Sequence, residues 1–303
     1  MSYRLLVPLD GSTLAEGALP FAADLVRRTK GALRVARVHV PVVPIATVGD
    51  LAAPYYDPAW DEQLRAIATT YTDEIATRER RALGASFSAV VVDGPDVAHE
   101  LETAADAFNA NMIVMTTHGR GGWARAWLGS VADSFVRSTR RLVLVLPERA
   151  VQTPPAIRQV MIALNGSSVG ASIVEPAAEF ASAFGAQIAL VRVIAPPLIG
   201  DMLTALSSEG LDRFGVDRVA EAAKADLDTT AARLRDRKFT VTSTVLVHAN
   251  PARALLEHIE QSSPDLIAMA THGRGLSRVF VGSVADKVLR GSGRPVLLRR
   301  PEG

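Results

Sequence analysis

The chain has 303 residues, about twice the length of one compact domain, and 48% of them are hydrophobic, so we expect two domains with buried cores rather than a disordered chain. Its 33 Lys and Arg residues against 32 Asp and Glu residues give a net charge of +1, which argues against a dedicated nucleic-acid binder. It contains no cysteine, which excludes disulfides, thiolate metal sites and cysteine catalysis. With no signal-like segment and no apolar run near the roughly 18 residues of a membrane helix, we expect a soluble, cytoplasmic protein.

In the first half of the chain, apolar runs of strand length alternate with segments of helical periodicity. The predicted strands are 4–9, 33–40, 86–92, 111–116 and 142–146. The predicted helices are 13–29, 61–83, 95–108 and 130–140, and a polar, proline-rich segment fills 41–60. Runs such as MIVMT are apolar on both faces, which is typical of a parallel sheet covered by helices.

The second half of the chain repeats the first. RLLVPLDGS at 4–12 recurs as QVMIALNGS at 159–167, and NMIVMTTHGRGG at 111–122 recurs as DLIAMATHGRGL at 265–276. The strands predicted for the second copy are 158–164, 187–194, 239–247, 265–270 and 295–299. The two copies are offset by 154 or 155 residues, which is too long for the repeat of a solenoid and indicates duplicated domains. We therefore predict an α/β fold of two tandem Rossmann-like, doubly wound domains, residues 1–150 and 151–303, each with a five-stranded parallel sheet.

Ligands of open α/β sheets bind beyond the carboxyl ends of the strands, and two features of the first copy meet there. Asp10 follows the first strand, and a glycine-rich loop at 117–122 follows the fourth strand and leads to Gly129 and a helix. Ser130 followed by Asp133 matches a capping box, which predicts that Ser130 is the N-cap. Free N–H groups at a helix N-terminus, approached through glycines, suit a phosphate. The alternative is that the glycines only form a turn and that Ser130 only caps its helix.

Asp10-Gly11-Ser12, the THGRGG loop and the distal GSVAD resemble the universal stress protein family in its tandem two-domain form, and the resemblance covers nearly the whole chain. For the nucleotide-binding branch of that family, the resemblance implies that ATP is bound, with or without Mg²⁺. The family binds it through a sequence pattern of glycine, two residues, glycine, nine residues, glycine and then Ser or Thr. Nine residues separate Gly119 from Gly129 here, and Thr116 stands where the family has the first glycine. The contacts implied in the first copy are Asp10, Gly11, Ser12, Val40, Gly94, Thr116, His118, Gly119, Arg120, Gly122, Gly129, Ser130 and Val131.

These implied contacts divide between the two ends of the nucleotide. Asp10 would accept hydrogen bonds from the nucleoside, the backbone at Val40 would contact adenine, and Gly94 would flank the base or the ribose. The glycine-rich loop and the helix start would hold the phosphates. Arg120 either reaches a phosphate or is an ordinary solvated loop residue, and a structural role for His118 is favoured over catalysis.

Aromatic residues leave two further alternatives open. Tyr55, Tyr56 and Trp60 belong to the proline-rich segment, which either folds as a lid over the nucleotide or packs as an ordinary loop. Trp123 and Trp127 lie in the glycine-rich segment of the first copy, where packing is favoured over stacking on a base.

The second copy departs from the nucleotide-binding pattern. Asn165 replaces the carboxylate, Ala270 replaces the first glycine, and only eight residues separate Gly273 from Gly282, which Ser283 follows. Asparagine can donate and accept hydrogen bonds, so that replacement alone does not abolish binding, but a shorter loop re-aims its N–H groups. We therefore expect the first copy to bind ATP more tightly than the second.

The run LVLVL at 142–146 is apolar throughout and would lie at the edge of a sheet. The resemblance implies that this strand pairs with its equivalent in the second copy, which would make the two copies a pseudo-twofold intramolecular dimer. A homodimer of whole chains is compatible with this arrangement.

Three functional classes remain open. The favoured one is a non-enzymatic ATP-binding module of the stress response, whose nucleotide state controls an unidentified protein partner, with no nucleic-acid or membrane ligand. The chain has no Walker-type lysine loop, so nothing evident in it stabilises a transferring phosphoryl group. The second class is a slow ATPase or self-phosphorylating protein that uses Ser130, and the third is an interaction scaffold that binds no nucleotide.

Overall fold

The computed structural model describes residues 2–41, 45–48, 51–54, 57–117, 129–152, 156–195, 211–271 and 282–301. Internal contacts divide these residues into two units, one of residues 2–117 with 129–141 and one of residues 142–301. Within the ranges just given, no helix is both long enough and apolar enough to cross a membrane.

The first unit is built on a parallel sheet with the strand order β5-β2-β1-β6. Its elements in chain order are β1 (Arg4–Pro8), α1 (Thr13–Glu16), α2 (Ala18–Thr29), β2 (Ala32–His39), β3 (Ile45–Val48), β4 (Leu51–Pro54), α3 (Pro58–Leu83), a short 3-10 helix (Gly84–Ser86), β5 (Phe87–Asp93), α4 (Val97–Phe108), β6 (Met112–Thr116) and α5 (Ser130–Ser138). The helices α2, α3 and α4 pack on these strands, which buries the sheet.

The predicted sheet strands of the first unit are confirmed, and the apolar residues of β1 and β6 are buried on both faces. Leu5, Leu6 and Val7 of β1 are fully buried, and every residue of β6 is buried. Strands covered on both sides read as continuous apolar runs, which made them recognisable in the sequence. The apolar stripe predicted for the first helix is likewise buried, with Leu19 and Val26 against the sheet.

Two segments of the first unit differ from the prediction. The helix predicted over 13–29 is divided into α1 and α2 at Gly17, whose N–H still donates to Thr13 O. The proline-rich segment 41–60 contains β3 and β4, which pair antiparallel with each other. Prolines cannot donate to a strand ladder, so their presence argued against strands there. Whether this hairpin serves as a lid stays a prediction.

The second unit is a sheet with the order β10-β9-β8-β11-β12-β7. Its elements are β7 (Leu142–Leu146), α6 (Glu148–Gln152), β8 (Gln159–Leu164), α7 (Ser168–Ala171), α8 (Val174–Phe184), β9 (Gln187–Ile194), α9 (Leu211–Asp236), β10 (Val241–Val247), α10 (Pro251–Ser262), β11 (Leu266–Ala270), α11 (Ser283–Gly291) and β12 (Val296–Arg299). The pairs from β10 to β12 are parallel, so the second copy has the five parallel strands that were predicted.

The strand β7 was predicted as the fifth strand of the first copy. It pairs antiparallel with β12, its equivalent in the second copy, and Leu144 lies opposite Leu297. Because of this pairing, β7 is grouped with the second unit. The helix α6 spans the predicted boundary between the copies. The domain boundary predicted between residues 150 and 151 is not tested by these units and stays a prediction.

Candidate functional site

The carboxyl ends of four parallel strands meet at one edge of the first sheet. The N–H of Leu9 donates to Ala36 O at 2.9 Å, which continues the pairing of β1 with β2 up to Asp10. Val40 directly follows β2, and Thr116 ends β6. The structure therefore brings these predicted residues to the edge at which open α/β sheets bind ligands.

Asp10, Gly11 and Ser12 form a tight turn between β1 and α1. Gly11 has a φ of +85°, in the left-handed region that glycine adopts without strain. The Ser12 N–H donates to Asp10 Oδ1 at 2.9 Å, and Ser12 Oγ accepts from the N–H of Ala15 at 3.1 Å. The Ser12 hydroxyl therefore caps α1, and the turn fixes the Asp10 carboxylate at the strand edge.

Val40 and Gly94 are joined through the backbone of the residue that precedes Val40. The Gly94 N–H donates to His39 O at 3.0 Å, while the Val40 side chain is exposed. A Cβ atom on Gly94 would lie 2.1 Å from Glu100 Oε1, so only glycine lets this carboxylate pack against the backbone. Sequence analysis identified Gly94 but missed Glu100, which lies in the first turn of α4.

A buried hydrogen-bonded pair and an ion pair lie beside Val40 and Gly94, and sequence analysis missed both. His39 Nε2 lies 3.1 Å from Asp61 Oδ1, and both side chains are buried. Arg65 Nε donates to Asp93 Oδ1 at 2.9 Å in a more exposed pair, and this hydrogen bond, together with the charge of Asp93, raises the pKa of Arg65.

The repeat itself carries the signal that could have revealed these pairs. In the second copy, the positions equivalent to the four paired residues are all apolar. They are Ile194, Val216, Ala220 and Val247. The first copy therefore has a polar edge beside the predicted base position where the second copy has an apolar one.

A third cluster of side chains joins α1, α3 and β2. The Tyr71 hydroxyl donates to Glu16 Oε1 at 3.0 Å, Arg78 pairs with Glu16 at 3.0 Å, and the Arg37 guanidinium lies 4.7 Å from the centre of the Tyr71 ring. Burial raises the pKa of Tyr71 most, and the charges of Glu16 and Asp10 raise it further. Two carboxylates therefore face this tyrosine near the end of β1.

The start of α5 is fixed by a hydrogen bond across the loop, in which the Gly129 N–H donates to Thr117 O at 2.7 Å. Gly129 is the N-cap, no side chain caps the helix, and the Asp133 N–H donates to Gly129 O at 2.8 Å. The first-turn N–H groups at 130–132 have no acceptor within the helix, so they are available to an anion. Val131 is half-buried in this turn.

The prediction that Ser130 is the N-cap is wrong, because the helix begins one residue earlier than the capping box requires. Ser130 is the first helical residue, and the Asp133 carboxylate pairs with Arg137 at 2.7 Å. The second copy agrees: Gly282 is the N-cap of α11, its N–H donates to Thr271 O, and Ser283 is the first, exposed helical residue.

Asn165 occupies the position of Asp10 in the second copy. Its Oδ1 accepts from the N–H of Ser167 at 3.0 Å and from Ser167 Oγ at 2.7 Å. Gly166 has a φ of +76°, so this turn has the geometry of the first copy with an amide in place of the carboxylate.

Several predicted residues lie outside the described residues or are described only in part. The glycine-loop residues that lie outside are His118, Gly119, Arg120, Gly122 and Gly273, together with Trp123 and Trp127. Tyr55 and Tyr56 also lie outside, whereas Trp60 is exposed in the first turn of α3. Thr116 is buried at the end of β6. Among the residues that are described, no three His, Asp or Glu side chains cluster to hold a metal ion.

Parallel strands whose ends converge on a turn and a helix N-terminus, present twice, define a Rossmann-like α/β protein with tandem copies. The universal stress protein family model matches residues 1–147 and again 156–300, and the chain therefore belongs to the universal stress protein family.

Known relatives agree with this assignment, and solved structures agree with the fold. One universal stress protein of Mycobacterium tuberculosis is 28% identical over 308 residues, covering 98% of this chain and 97% of the relative. A second from the same organism is 27% identical, covering 98% and 94%. A universal stress protein structure from Archaeoglobus fulgidus matches with a TM-score of 0.69 and 19% identity, covering 99% of this chain and 97% of that one. A functionally unknown protein from Pseudomonas aeruginosa matches with a TM-score of 0.64 and 16% identity, covering 99% and 93%.

Proposed function

We propose that this universal stress protein is an ATP-binding regulatory module, and that the first copy is its tighter nucleotide site. The observation that supports this most directly is the hydrogen bond from Gly129 to Thr117 O, which fixes the start of α5 at the strand edge that also carries Asp10. An uncapped helix start is suited to phosphate, and a carboxylate is suited to the hydroxyls of a ribose.

The described residues fit the two ends of ATP. At the nucleoside end, Asp10 would accept from ribose hydroxyls, and the backbone of exposed Val40 would contact adenine. At the phosphate end, the N–H groups of Ser130 and Val131 would donate to phosphate oxygens. Mg²⁺, where it accompanies the nucleotide, would be held chiefly by the phosphates.

The second copy should bind ATP more weakly. Asn165 brings an amide in place of a carboxylate, and its Oδ1 already accepts two hydrogen bonds from Ser167. The segment from Gly273 to Gly282 is one residue shorter than its equivalent, which moves the phosphate-binding N–H groups relative to the strand edge.

We favour regulation over catalysis because the chain has no Walker-type lysine loop to stabilise a transferring phosphoryl group. Bound ATP would then remain intact, and the nucleotide state would set the surface that a protein partner recognises. Ser130, the first residue of α5, is the hydroxyl that a slow ATPase or self-phosphorylating protein would use.

The test begins with mass spectrometry of the small molecules released when freshly purified protein is denatured. Calorimetric titration of the full chain with ATP should then show a tighter site that Asp10→Asn weakens by roughly tenfold, since a charge-assisted hydrogen bond becomes a neutral one. The matched variant Asn165→Asp should leave that site unchanged. ADP that accumulates over hours and is abolished by Ser130→Ala would replace regulation with catalysis, and absence of any ATP binding would favour a scaffold.

A further inference from the structure

The two copies differ at the end of their first strand, where the nucleoside is proposed to lie. The repeat register equates Asp10 with Asn165, Glu16 with Ala171, and Arg37 with Arg192. Buried positions 68, 72 and 76 of α3 correspond to buried positions 223, 227 and 231 of α9. Tyr71 of α3 therefore corresponds to Asp226 of α9.

In the first copy the arginine at this position is held against a helix. The Arg37 guanidinium lies over the Tyr71 ring, and Tyr71 is itself hydrogen-bonded to Glu16. The strand end therefore presents carboxylates, which are acceptors for the hydroxyl groups of an unmodified ribose.

In the second copy the equivalent arginine lies on the turn. A Cβ atom on Gly166 would lie 2.2 Å from Arg192 Nη2, so the guanidinium rests directly on this glycine. Arg192 Nη1 donates to Asp226 Oδ2 at 2.9 Å, which orients the group. Its Nε is buried and has no acceptor among the described residues. The second copy thus places the Arg192–Asp226 ion pair at the strand end, with the guanidinium against the turn.

Asn165 adds further donors beside this guanidinium. Its Oδ1 is occupied by Ser167, and its Nδ2 makes no hydrogen bond with the part of the chain that the structure describes. Glu16, the second carboxylate of the first copy, is replaced by Ala171. The carboxylates of Asp10 and Glu16 are therefore replaced by an amide and a methyl group, and the arginine lies on the turn instead of over a tyrosine ring.

Dinucleotide-binding folds distinguish their ligands by related means, since an acidic residue binds the ribose hydroxyl and a nearby arginine accommodates a ribose phosphate. We propose that the second copy binds a nucleotide whose ribose carries a phosphate at the 2′ or 3′ position, recognised by Arg192 and Asn165. The proposal rests on the proposed function in one respect, namely that the nucleoside lies at the end of the first strand.

Two isomeric ligands test this proposal on the full chain. Adenosine 3′,5′-bisphosphate and ADP have the same composition and differ in where the second phosphate is attached. Each is titrated calorimetrically into protein whose first site is saturated with ATP. We expect the bisphosphate to bind roughly tenfold more tightly than ADP, because a charge-assisted hydrogen bond is made only by the ribose phosphate.

Variants assign the binding to the second copy. Arg192→Gln should weaken binding of the bisphosphate by roughly tenfold and leave ADP binding unchanged, whereas the matched first-copy variant Arg37→Gln should change bisphosphate binding by less than about twofold. Asn165→Asp, at an exposed position that carries aspartate in the first copy, should weaken bisphosphate binding by a similar factor. If Arg192→Gln does not fold, the effect of Asn165→Asp on bisphosphate binding tests the proposal instead.

Equal affinity for the two isomers, or equal losses in Arg192→Gln and Arg37→Gln, would overturn the proposal. If ATP binds through Asp10 and the bisphosphate does not depend on Arg192, this inference fails and the proposed function stands. If the bisphosphate binds through Arg192 in protein that binds no ATP, the proposed function fails and this inference stands.

Discussion

His39 Nε2 lies 3.1 Å from Asp61 Oδ1 in the first copy, with 6% and 12% of the two side chains exposed, and the equivalent residues of the second copy are Ile194 and Val216. The fold thus accommodates either a buried polar pair or two apolar side chains at this place. Replacing a buried pair by apolar residues is often neutral, whereas removing one partner leaves the other unsatisfied.

We therefore expect Asp61→Val to lower the free energy of unfolding by about 1–3 kcal/mol. The double variant His39→Ile with Asp61→Val, which copies the second repeat, should recover most of that loss. Urea unfolding monitored by circular dichroism measures both. A double variant that is less stable than Asp61→Val would show that the pair is needed for folding.

Gly31 should not tolerate a side chain, although its position between α2 and β2 is not in the left-handed region. A Cβ atom there would lie 2.0 Å from Tyr3 O, and that oxygen accepts the N–H of Ala32 at 2.9 Å. Gly31→Ala must displace backbone, and we expect it to cost about 3 kcal/mol or more. The control is Gly185→Ala, where φ is +65° and nothing lies within 4 Å; strain alone should cost it about 1 kcal/mol. Equal shifts in the unfolding midpoint would contradict the steric explanation.

Arg141 joins the end of the first unit to α4. Its Nε donates to Ala110 O at 2.8 Å, and its two terminal nitrogens donate to Glu102 and Asp106. Only 18% of the side chain is exposed, so Arg141→Ala should remove about 2 kcal/mol of stability. Arg253→Ala breaks an exposed pair with Glu257 and should leave the free energy of unfolding nearly unchanged, because solvent screens such a pair. Comparable losses in the two variants would mean that the Arg141 contacts contribute no more than a surface pair.

Tyr71 should make stability depend on pH in the alkaline range. Burial first, and then the Glu16 carboxylate, raise the pKa of Tyr71 above its ordinary value of 10.0. The unfolded chain therefore releases this proton at lower pH than the folded chain. The contribution is fully present below pH 10 and is lost as the pH rises above it. Between about pH 10 and 11, the urea midpoint should fall more steeply for wild type than for Tyr71→Phe. Parallel curves would contradict the assignment.

The strands and the repeat could be predicted because their signal is local. Leu5, Leu6 and Val7 are apolar and buried regardless of which strands flank them. Such an apolar run can be recognised from adjacent residues of the sequence alone. The turn at Asp10 was found for the same reason, since Gly11 and Ser12 adjoin it in the chain. Helix α5 was also expected, but Gly129 rather than Ser130 proved to be its N-cap, because a carbonyl across the loop decides where the helix begins.

The side chains behind the site could not be predicted from one copy, because their partners are distant in sequence. His39 and Asp61 are 22 residues apart, and only the packing of α3 on β2 brings them together. Arg37 and Arg192 are the same residue type in equivalent strands, yet one lies over a tyrosine ring and the other over a glycine. The deciding difference is Tyr71 against Asp226 on the following helix.

The antiparallel pairing of β7 with β12 also bears on how this protein can be dissected. A fragment that ends after Leu146 would carry LVLVL without β12, the strand that pairs with one edge of it in the intact molecule. The unpaired N–H and C=O groups of such an exposed strand edge can pair with the same strand of another copy, so half-length preparations should self-associate. Titrations meant to separate the contributions of the repeats are therefore better made with point substitutions in the uncut polypeptide than with severed pieces.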